Sequence, residues 1–562
     1  AEALVETFEQ LFQEILSVST TFTSATVPVN AFTRTDTLDN AFLGLFQPST
    51  EPAADPPSSK PQWAGNLKRL QLDVCKVSEG CTAFKDQSLV VLDAETTFNP
   101  DGTPENSVTL ADDAIASDGR IKVDALTYWT DVNGFDVQEP DLKINNVLLE
   151  VKGKDGRALQ RGGAAQKIPG FLDTDYVGST TRGLPSLDNP ELPPTYYASS
   201  TSRAIFYVDS TSSLAPLYAD STTVAADVWP LLCDDIAIAN PPDGYACNNA
   251  LANWENVKGL ETTEFITPGY DSDTSGVFTI EKAVKNLLKF ARGIDIFNQA
   301  SDDPAKTDNS RRPMFADILH TQPRPVNYGK MDGYSTNVPN LHILTGSNDG
   351  FLRMIRNNPP PANSTDLFAD HTKAGNEEWA FMPREVMPIL TTLARNIGEH
   401  PYGVDGDITV YTESCSNADQ FTIVEGRSCD LDGDNVDETS DKVWAYFGLR
   451  RGGKAYYALD ITNPKEPTKK WIINNSTTGF EELGQSWSRP TLGKLRWGST
   501  DAKPKPVIIF AGGYDTDKDA FARDINNDIV KDGSGNPVPE TLDSSAPNDD
   551  EGVAIYIVDA DT

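Results

Sequence analysis

The residue pattern in this 562-residue chain that points most directly to chemistry is a set of oxygen donors spaced for a hard cation. In Asp430-Leu-Asp432-Gly-Asp434-Asn-Val436-Asp437-Glu438, carboxylates stand at positions 1, 3 and 5 of the run. The backbone carbonyl of Val436 follows at position 7 and the carboxylate of Glu438 at position 9, with Asp441 further on. Calcium gathers several oxygens from a curled loop with this spacing, and Gly433 and Asn435 tolerate the left-handed backbone that such a curl requires. The other reading of the same residues is a solvated acidic turn. A second run, Asp524-Ile-Asn526-Asn-Asp528-Ile-Val530-Lys-Asp532, repeats the donor spacing, although the β-branched Ile529 occupies the position of the sharp turn. Asp515-Thr-Asp517-Lys-Asp519 also gathers carboxylates and reads equally as a charged turn. After the apolar run Ala204 to Val208, Asp209-Ser-Thr-Ser-Ser213 approaches the D-x-S-x-S pattern of metal-dependent adhesion sites. Pro230, Pro241 and Pro242 interrupt the segment after it, so a Ser-rich turn is the expected structure there.

Constellations for bond-making chemistry are missing from the sequence. The histidines are His320, His342, His371 and His400, none in an H-E-x-x-H pair, and neither a G-x-S-x-G elbow nor a G-x-x-x-x-G-K-[ST] loop occurs. His320, His342 and His400 sit in strand-like phrases and are expected to pack rather than ligate. Many Asp/Glu pairs arise by chance in so acidic a chain, and nothing singles out a glycosidase dyad among them. An Asp+Glu count of 83 against 47 Lys+Arg gives a net charge of −36, which opposes contact with nucleic acid or anionic lipid. No apolar run is long enough to span a membrane. Cys75 and Cys81, Cys233 and Cys247, and Cys415 and Cys429 fall as neighbouring pairs, the pattern of loop-stapling disulfides in an oxidising compartment. Other connectivities, and free buried thiols, remain open. The opening Ala1-Glu2-Ala3-Leu4 lacks an initiator Met and an apolar leader, which reads as a processed or excised chain.

The elements that must position these residues are mostly strands. Gly 40 and Pro 38, with abundant Ser, Thr, Asn and Asp, favour turns over long helices. Leu4, Phe8, Leu11 and Ile15 predict one amphipathic helix over about the first 18 residues, and residues 280–292 predict another, with Val284, Leu287, Leu288 and Ala291 on one face. Residues 47–61 read as a Pro-rich linker, 63–151 as a β scaffold, and 152–194 as a polar surface excursion. The texture changes near Arg311, where short β runs and Gly-Asp turns begin to recur. Tyr457-Ala-Leu-Asp-Ile-Thr462 is echoed by Tyr556-Ile-Val-Asp-Ala-Asp561, and glycine-bearing strands precede each, Tyr446 to Gly448 and Phe510 to Gly513. The expected fold is mainly β. An N-terminal β-rich region with a few helices (1–310) precedes a C-terminal, incomplete β-propeller (311–562), with an irregular β-sandwich as the alternative.

The phrases that carry this texture also resemble a known family. RRPMFADILHTQPRPVNYG (311–329), LHILTGSNDGFLRMI (341–355), EEWAFMPREVMPIL (377–390), HPYGVDGDITV (400–410), GLRRGGKAYYALDITNP (448–464), LGQSWSRPTLGKL (483–495) and FAGGYD (510–515) succeed one another as in the C-terminal domain of the PilY family of type IV pilus tip and biogenesis proteins. Trp63 to Lys68, Tyr128 to Thr130, Arg203 to Ile205 and Lys289 to Gly293 extend the similarity upstream more loosely. Family members often carry a von Willebrand A-type domain ahead of this region, and the first helix resembles the junction where it ends.

The resemblance implies an extracellular protein at the pilus tip, without enzymatic activity. It would work with minor pilins and a host or abiotic surface, and would control pilus extension and retraction through Ca²⁺ in a D-x-[D/N]-x-D-x-x-x-D loop. Both acidic runs match that spacing, except that Glu438 replaces the final Asp in the first. Two rival readings belong to other classes. One is a quinoprotein-like propeller dehydrogenase, suggested by the Asp-Ala-Asp-Thr ending and the blade tryptophans, and the other is a purely structural surface or filament protein.

Overall fold

The structure, a computed structural model, describes residues 22–26, 40–51, 58–75, 88–92, short stretches between 114 and 168, 203–217, 221–232, 280–293, 315–358, 374–416, 421–430, 439–496, 504–515 and 551–562, with 337, 397 and 398 set aside. The amphipathic helix expected at the start lies outside the described residues.

Four-stranded antiparallel pairing opens the fold. β1 (Phe22–Thr26), β2 (Asn40–Gln47), β5 (Ala64–Cys75) and β6 (Ser88–Leu92) pair in the order β1-β2-β5-β6, with the small hairpin β3 (Thr50–Glu51) and β4 (Ser58–Ser59) between β2 and β5. The expected linker over 47–61 therefore contains a hairpin, held also by the Lys60 amide donating to the Ser49 carbonyl. A second small hairpin, β7 (Leu142–Ile144) and β8 (Val147–Leu149), comes next.

Beyond it lie β9 (Ile205–Val208), β10 (Leu214–Pro216), α1 (Thr222–Leu232) and α2 (Ile280–Arg292). Val284, Leu287, Leu288 and Ala291 of α2 are buried, as the 3.6-residue period requires. β11 (Arg324–Asn327), β12 (Leu341–Gly346), β13 (Leu352–Arg356) and β14 (Glu377–Met382) then form an antiparallel meander. Its outer strand β14 pairs in parallel with β9, which pairs in turn with β10. This six-stranded sheet takes strands from both sides of the texture change near residue 311.

After α3 (Ile389–Arg395) the chain forms a second meander: β15 (Ile408–Glu413), β18 (Lys442–Gly448), β19 (Ala455–Asp460) and β20 (Thr468–Asn474). Between β15 and β18 projects the hairpin β16 (Ser428–Cys429) and β17 (Thr439–Ser440). A third meander, β21 (Thr491–Leu495), β22 (Lys505–Ala511) and β23 (Ile555–Asp559), has three described strands. The recurring phrases fall on equivalent places, with Asp460 ending the third strand of the second meander and Asp559 ending the third strand of the next. Each aspartate accepts an amide two residues on, Thr462 and Asp561 respectively.

The sheets lie face to face in series, because the two-residue period of each strand feeds a different core on each side. Ile343 and Ile355 face Phe42, Leu67 and Trp129 of the N-terminal part. Leu344, Leu352, Met354 and Phe381 share a core with Val443, Ala445, Phe447, Tyr457 and Leu459 of the second meander. Its other face, Trp444, Tyr446, Tyr456 and Ala458, packs on Ile508 and Phe510 of the third. The first strands of the meanders are tied in sequence: Arg324 Nε donates to the Ile408 carbonyl at 3.0 Å, and Thr409 Oγ1 to the Pro490 carbonyl at 2.5 Å. No sheet closes into a ring among the described residues.

The start of the expected surface excursion at 152–194 is instead interior. Asp155 and Lys68 form an ion pair at 2.9 Å with both side chains fully buried, and Asp155 also accepts from the amide and hydroxyl of Thr127. Polarity in the sequence marks surface only when the polar groups lack partners, and here they are satisfied internally.

Candidate functional site

In sequence the first acidic run separates β16 from β17. Cys429 pairs with Thr439 and Ser428 with Ser440, so residues 430–438 leave and re-enter through a two-rung ladder. Cys415 and Cys429 form a disulfide under that ladder. The other two expected cysteine pairs reach outside the described residues.

Asp441 organises the base. Its carboxylate is buried, accepting from the Cys415 amide at 2.6 Å and the Val424 amide at 2.8 Å, and it pairs with Arg427 Nη2 at 2.6 Å. The same guanidinium nitrogen donates to Ser416 Oγ and to the Thr422 carbonyl, both at 2.6 Å. Residues 421–424 are anchored to the first meander by the Ile423 amide donating to the Tyr328 carbonyl and by the Gly329–Thr422 bridge. Both Asp441 oxygens are therefore engaged with the scaffold at the base of the hairpin. Asp430, half-buried, begins the loop, whereas Asp432, Asp434, Val436 and Glu438 lie outside the described residues. All of Asp524, Asn526, Asp528, Val530 and Asp532 do so as well, as do Asp517 and Asp519, with Asp515 at the edge of the described chain. Among the described residues no group of three or more His, Cys, Asp or Glu side chains is arranged to hold a metal.

The turn after β9 is the Ser-rich turn that the prolines suggested. Asp209 Oδ1 accepts from the Thr211 amide at 2.9 Å, the Thr211 hydroxyl at 2.7 Å and the Ser213 amide at 2.8 Å. Burial acts to raise the Asp209 pKa, but these hydrogen bonds outweigh it and hold the carboxyl below its ordinary value. One of the two Asp209 carboxylate oxygens is thus engaged in closing the turn.

The three described histidines pack, as expected. His400 stacks on Trp63 with centroids 3.9 Å apart, its Nδ1 lies 2.9 Å from the Pro61 carbonyl, and its Nε2 faces Asp317 at 3.3 Å. His320 Nδ1 meets Asp405 at 2.7 Å. His342 is buried edge-on to Tyr328, with Glu378 at 3.5 Å, the outer limit of a hydrogen bond, so burial dominates and lowers its pKa despite the pull of Glu378. His371 lies outside the described residues.

Sequence reasoning missed two features. One is a buried charge relay: Glu377 accepts from Arg203 Nε at 2.5 Å and Arg353 Nε at 3.0 Å, and Arg353 reaches on to Asp349 at 2.6 Å, joining β9 to the first meander. The other is a surface cluster of arginine and aromatic side chains around Trp487. Its members are far apart in sequence and sit in turns, so no periodicity gathers them.

No family model matches the chain. Among curated proteins it is similar to the type IV pilus biogenesis factor PilY1 of a Pseudomonas aeruginosa strain, 23% identical over 280 residues, which is 48% of this chain and 20% of that protein. It is also similar to a PilY1 homolog of Xylella fastidiosa, 29% identical over 236 residues, covering 40% of this chain and 16% of the homolog. The matched part is thus a small share of these relatives' length. Among solved structures, the Pseudomonas aeruginosa PilY1 C-terminal domain aligns with 39% of this chain and 36% of its own, at 21% identity and a TM-score of 0.19. By sequence similarity, this mainly β chain is a relative of the PilY family of type IV pilus biogenesis factors.

Proposed function

We propose that the chain is a calcium-responsive module of a type IV pilus tip protein. In this reading it acts outside the cell by binding rather than by catalysis, engaging minor pilins on one side and a host or abiotic surface on the other. The observation that carries the pilus assignment is the sequence similarity to PilY1, a protein named for pilus biogenesis. The three meanders are consecutive blades of a β-propeller. Support for this comes from their first strands, tied in sequence, and from sheet faces that share one core after another.

Calcium is held by the hairpin loop, through Asp430, Asp432, Asp434, the Val436 carbonyl and Glu438, with Asp524, Asn526, Asp528, the Val530 carbonyl and Asp532 as a second site. The support for the first is its mount: a laddered, disulfide-stapled base whose own carboxylate is already neutralised by Arg427. A loop crowded with carboxylates repels itself until a cation neutralises it, so binding orders the loop and stabilises the sheet that carries it.

Deleting the encoding gene tests the pilus role. The expected result is a fall in surface pili counted by electron microscopy, restored by the intact gene. Undiminished piliation contradicts the reading.

A further inference from the structure

One part of this acidic molecule's surface is cationic and aromatic. It lies where the tight turn between β18 and β19 meets the connectors before and after the second meander. Arg450 lies over the Trp487 ring at 4.7 Å, and Arg451 lies over the same ring at 5.3 Å and over Tyr402 at 5.0 Å. Arg451 Nη1 also donates to the Tyr402 hydroxyl at 2.9 Å, and Tyr514 flanks Trp487 at 5.4 Å. Trp487 is 38% exposed, unusual for so large a ring.

The cluster is built rather than accidental. Arg450 has a φ of 53°, a left-handed backbone that costs a side-chain-bearing residue free energy, and the turn nevertheless uses Arg there instead of Gly. The buried Ser486 hydroxyl fixes that turn by accepting from the amides of Leu449 at 2.7 Å and Arg450 at 3.2 Å and donating to the Gly453 carbonyl at 3.1 Å. Gly452 lies so close to the Gly403 carbonyl that no side chain fits, which locks the turn against the preceding connector.

Among the described residues neither guanidinium has a carboxylate within ion-pair distance. Asp405 and Asp407 feel the charge of Arg450 from further away, but Asp405 is engaged by His320 and Asp407 by the Gln322 backbone. A guanidinium stacked on a ring uses its flat face, so in-plane N–H groups beyond the one that Arg451 gives Tyr402 can still meet a carboxylate. The ring faces covered by guanidinium are lost to a stacking sugar. The net charge of −36 disfavours an extended polyanion such as nucleic acid or a lipid surface. A short anionic segment that carries apolar groups for the ring edges fits these constraints. We propose that Arg450, Arg451, Trp487, Tyr402 and Tyr514 form a docking surface for an acidic, aromatic-containing peptide segment of a partner protein. This inference stands apart from the pilus and calcium readings.

The test uses the full chain and a fluorescein-labelled peptide of alternating Glu and Phe, followed by fluorescence anisotropy with a Lys–Phe peptide, glucuronate and inorganic phosphate as competitors. The expected result is saturable binding that weakens with salt and is competed by unlabelled Glu–Phe peptide but by none of the others at equal concentration. Arg450→Gly combined with Arg451→Gln should weaken binding at least tenfold. Because glycine relieves the left-handed backbone, that variant should melt no lower than the parent, separating lost recognition from lost folding. Trp487→Phe, which keeps an aromatic ring, should retain part of the affinity. Equal binding by the double variant, equal competition by the Lys–Phe peptide, or preferential competition by glucuronate or phosphate would overturn the assignment.

Discussion

At the scale of single residues, stability at the hairpin base depends on where polar groups spend their hydrogen bonds. Asp441 satisfies two backbone amides and Arg427 from a buried position, so Asp441→Ala leaves both amides without their acceptor and Arg427 without its counter-charge. The expected cost is about 1–3 kcal/mol, read as a lower midpoint in urea denaturation, because half-buried donors stripped of their acceptor lose more than the bond itself contributed. A change within error would mean that the base of the hairpin is not held as described.

His342 supplies a pH dependence whose sign is set by burial. Its pKa in the folded protein lies below the ordinary 6.5, so between the two values the unfolded chain binds more protons than the folded one. Stability is therefore fully present above pH 6.5 and falls as the pH drops through the window below it, by at most about 1.4 kcal/mol per pH unit from this group. His342→Gln should shallow that fall between pH 7 and 5, measured by urea denaturation at each pH. An unchanged slope would assign the acid sensitivity elsewhere.

At the scale of elements, the disulfide is the clearest lever. Cys415 and Cys429 are separated by 14 residues, and closing a loop of that size stabilises the folded state by about 3 kcal/mol in the chain-entropy view. Replacing both cysteines with serine should lower the denaturation midpoint accordingly and weaken calcium binding, since the loop entrance would no longer be fixed. A full-affinity serine variant would separate the staple from the site.

Much at this scale could be read from sequence. The strand at 204–208, the helix at 280–292 and the paired phrases ending in Asp460 and Asp559 carry their periods and turn residues openly. The parallel pairing of β9 with β14 could not be read, because partners more than 170 residues apart leave no local pattern. Asp155 misled for the opposite reason: its polarity is local, and its burial against Lys68 is a tertiary fact. The contacts of Asp441 and Arg427 beside the cation run emerged only in three dimensions.

At the scale of the molecule, the sheets are coupled in series, and Glu377 is where the N-terminal strands join the first meander. Its carboxylate serves two buried arginines, one on each side of that junction. Glu377→Gln leaves Arg203 and Arg353 short of a counter-charge and should cost about 3–5 kcal/mol. Because strands from both sides share one core, differential scanning calorimetry should show the residues around Arg203 and those of the first two meanders melting together. A variant that splits the transition in two would show that the N-terminal strands fold independently.

If the stapled hairpin carries a calcium site, calorimetric titration of the EDTA-stripped chain should reveal it. Saturable calcium binding is expected in the unmutated chain, with the first site lost in Asp432→Ala combined with Asp434→Ala. Asp524→Ala combined with Asp528→Ala should remove only the second site. Absence of binding in the unmutated chain, or full binding after both pairs of substitutions, would contradict the calcium assignment.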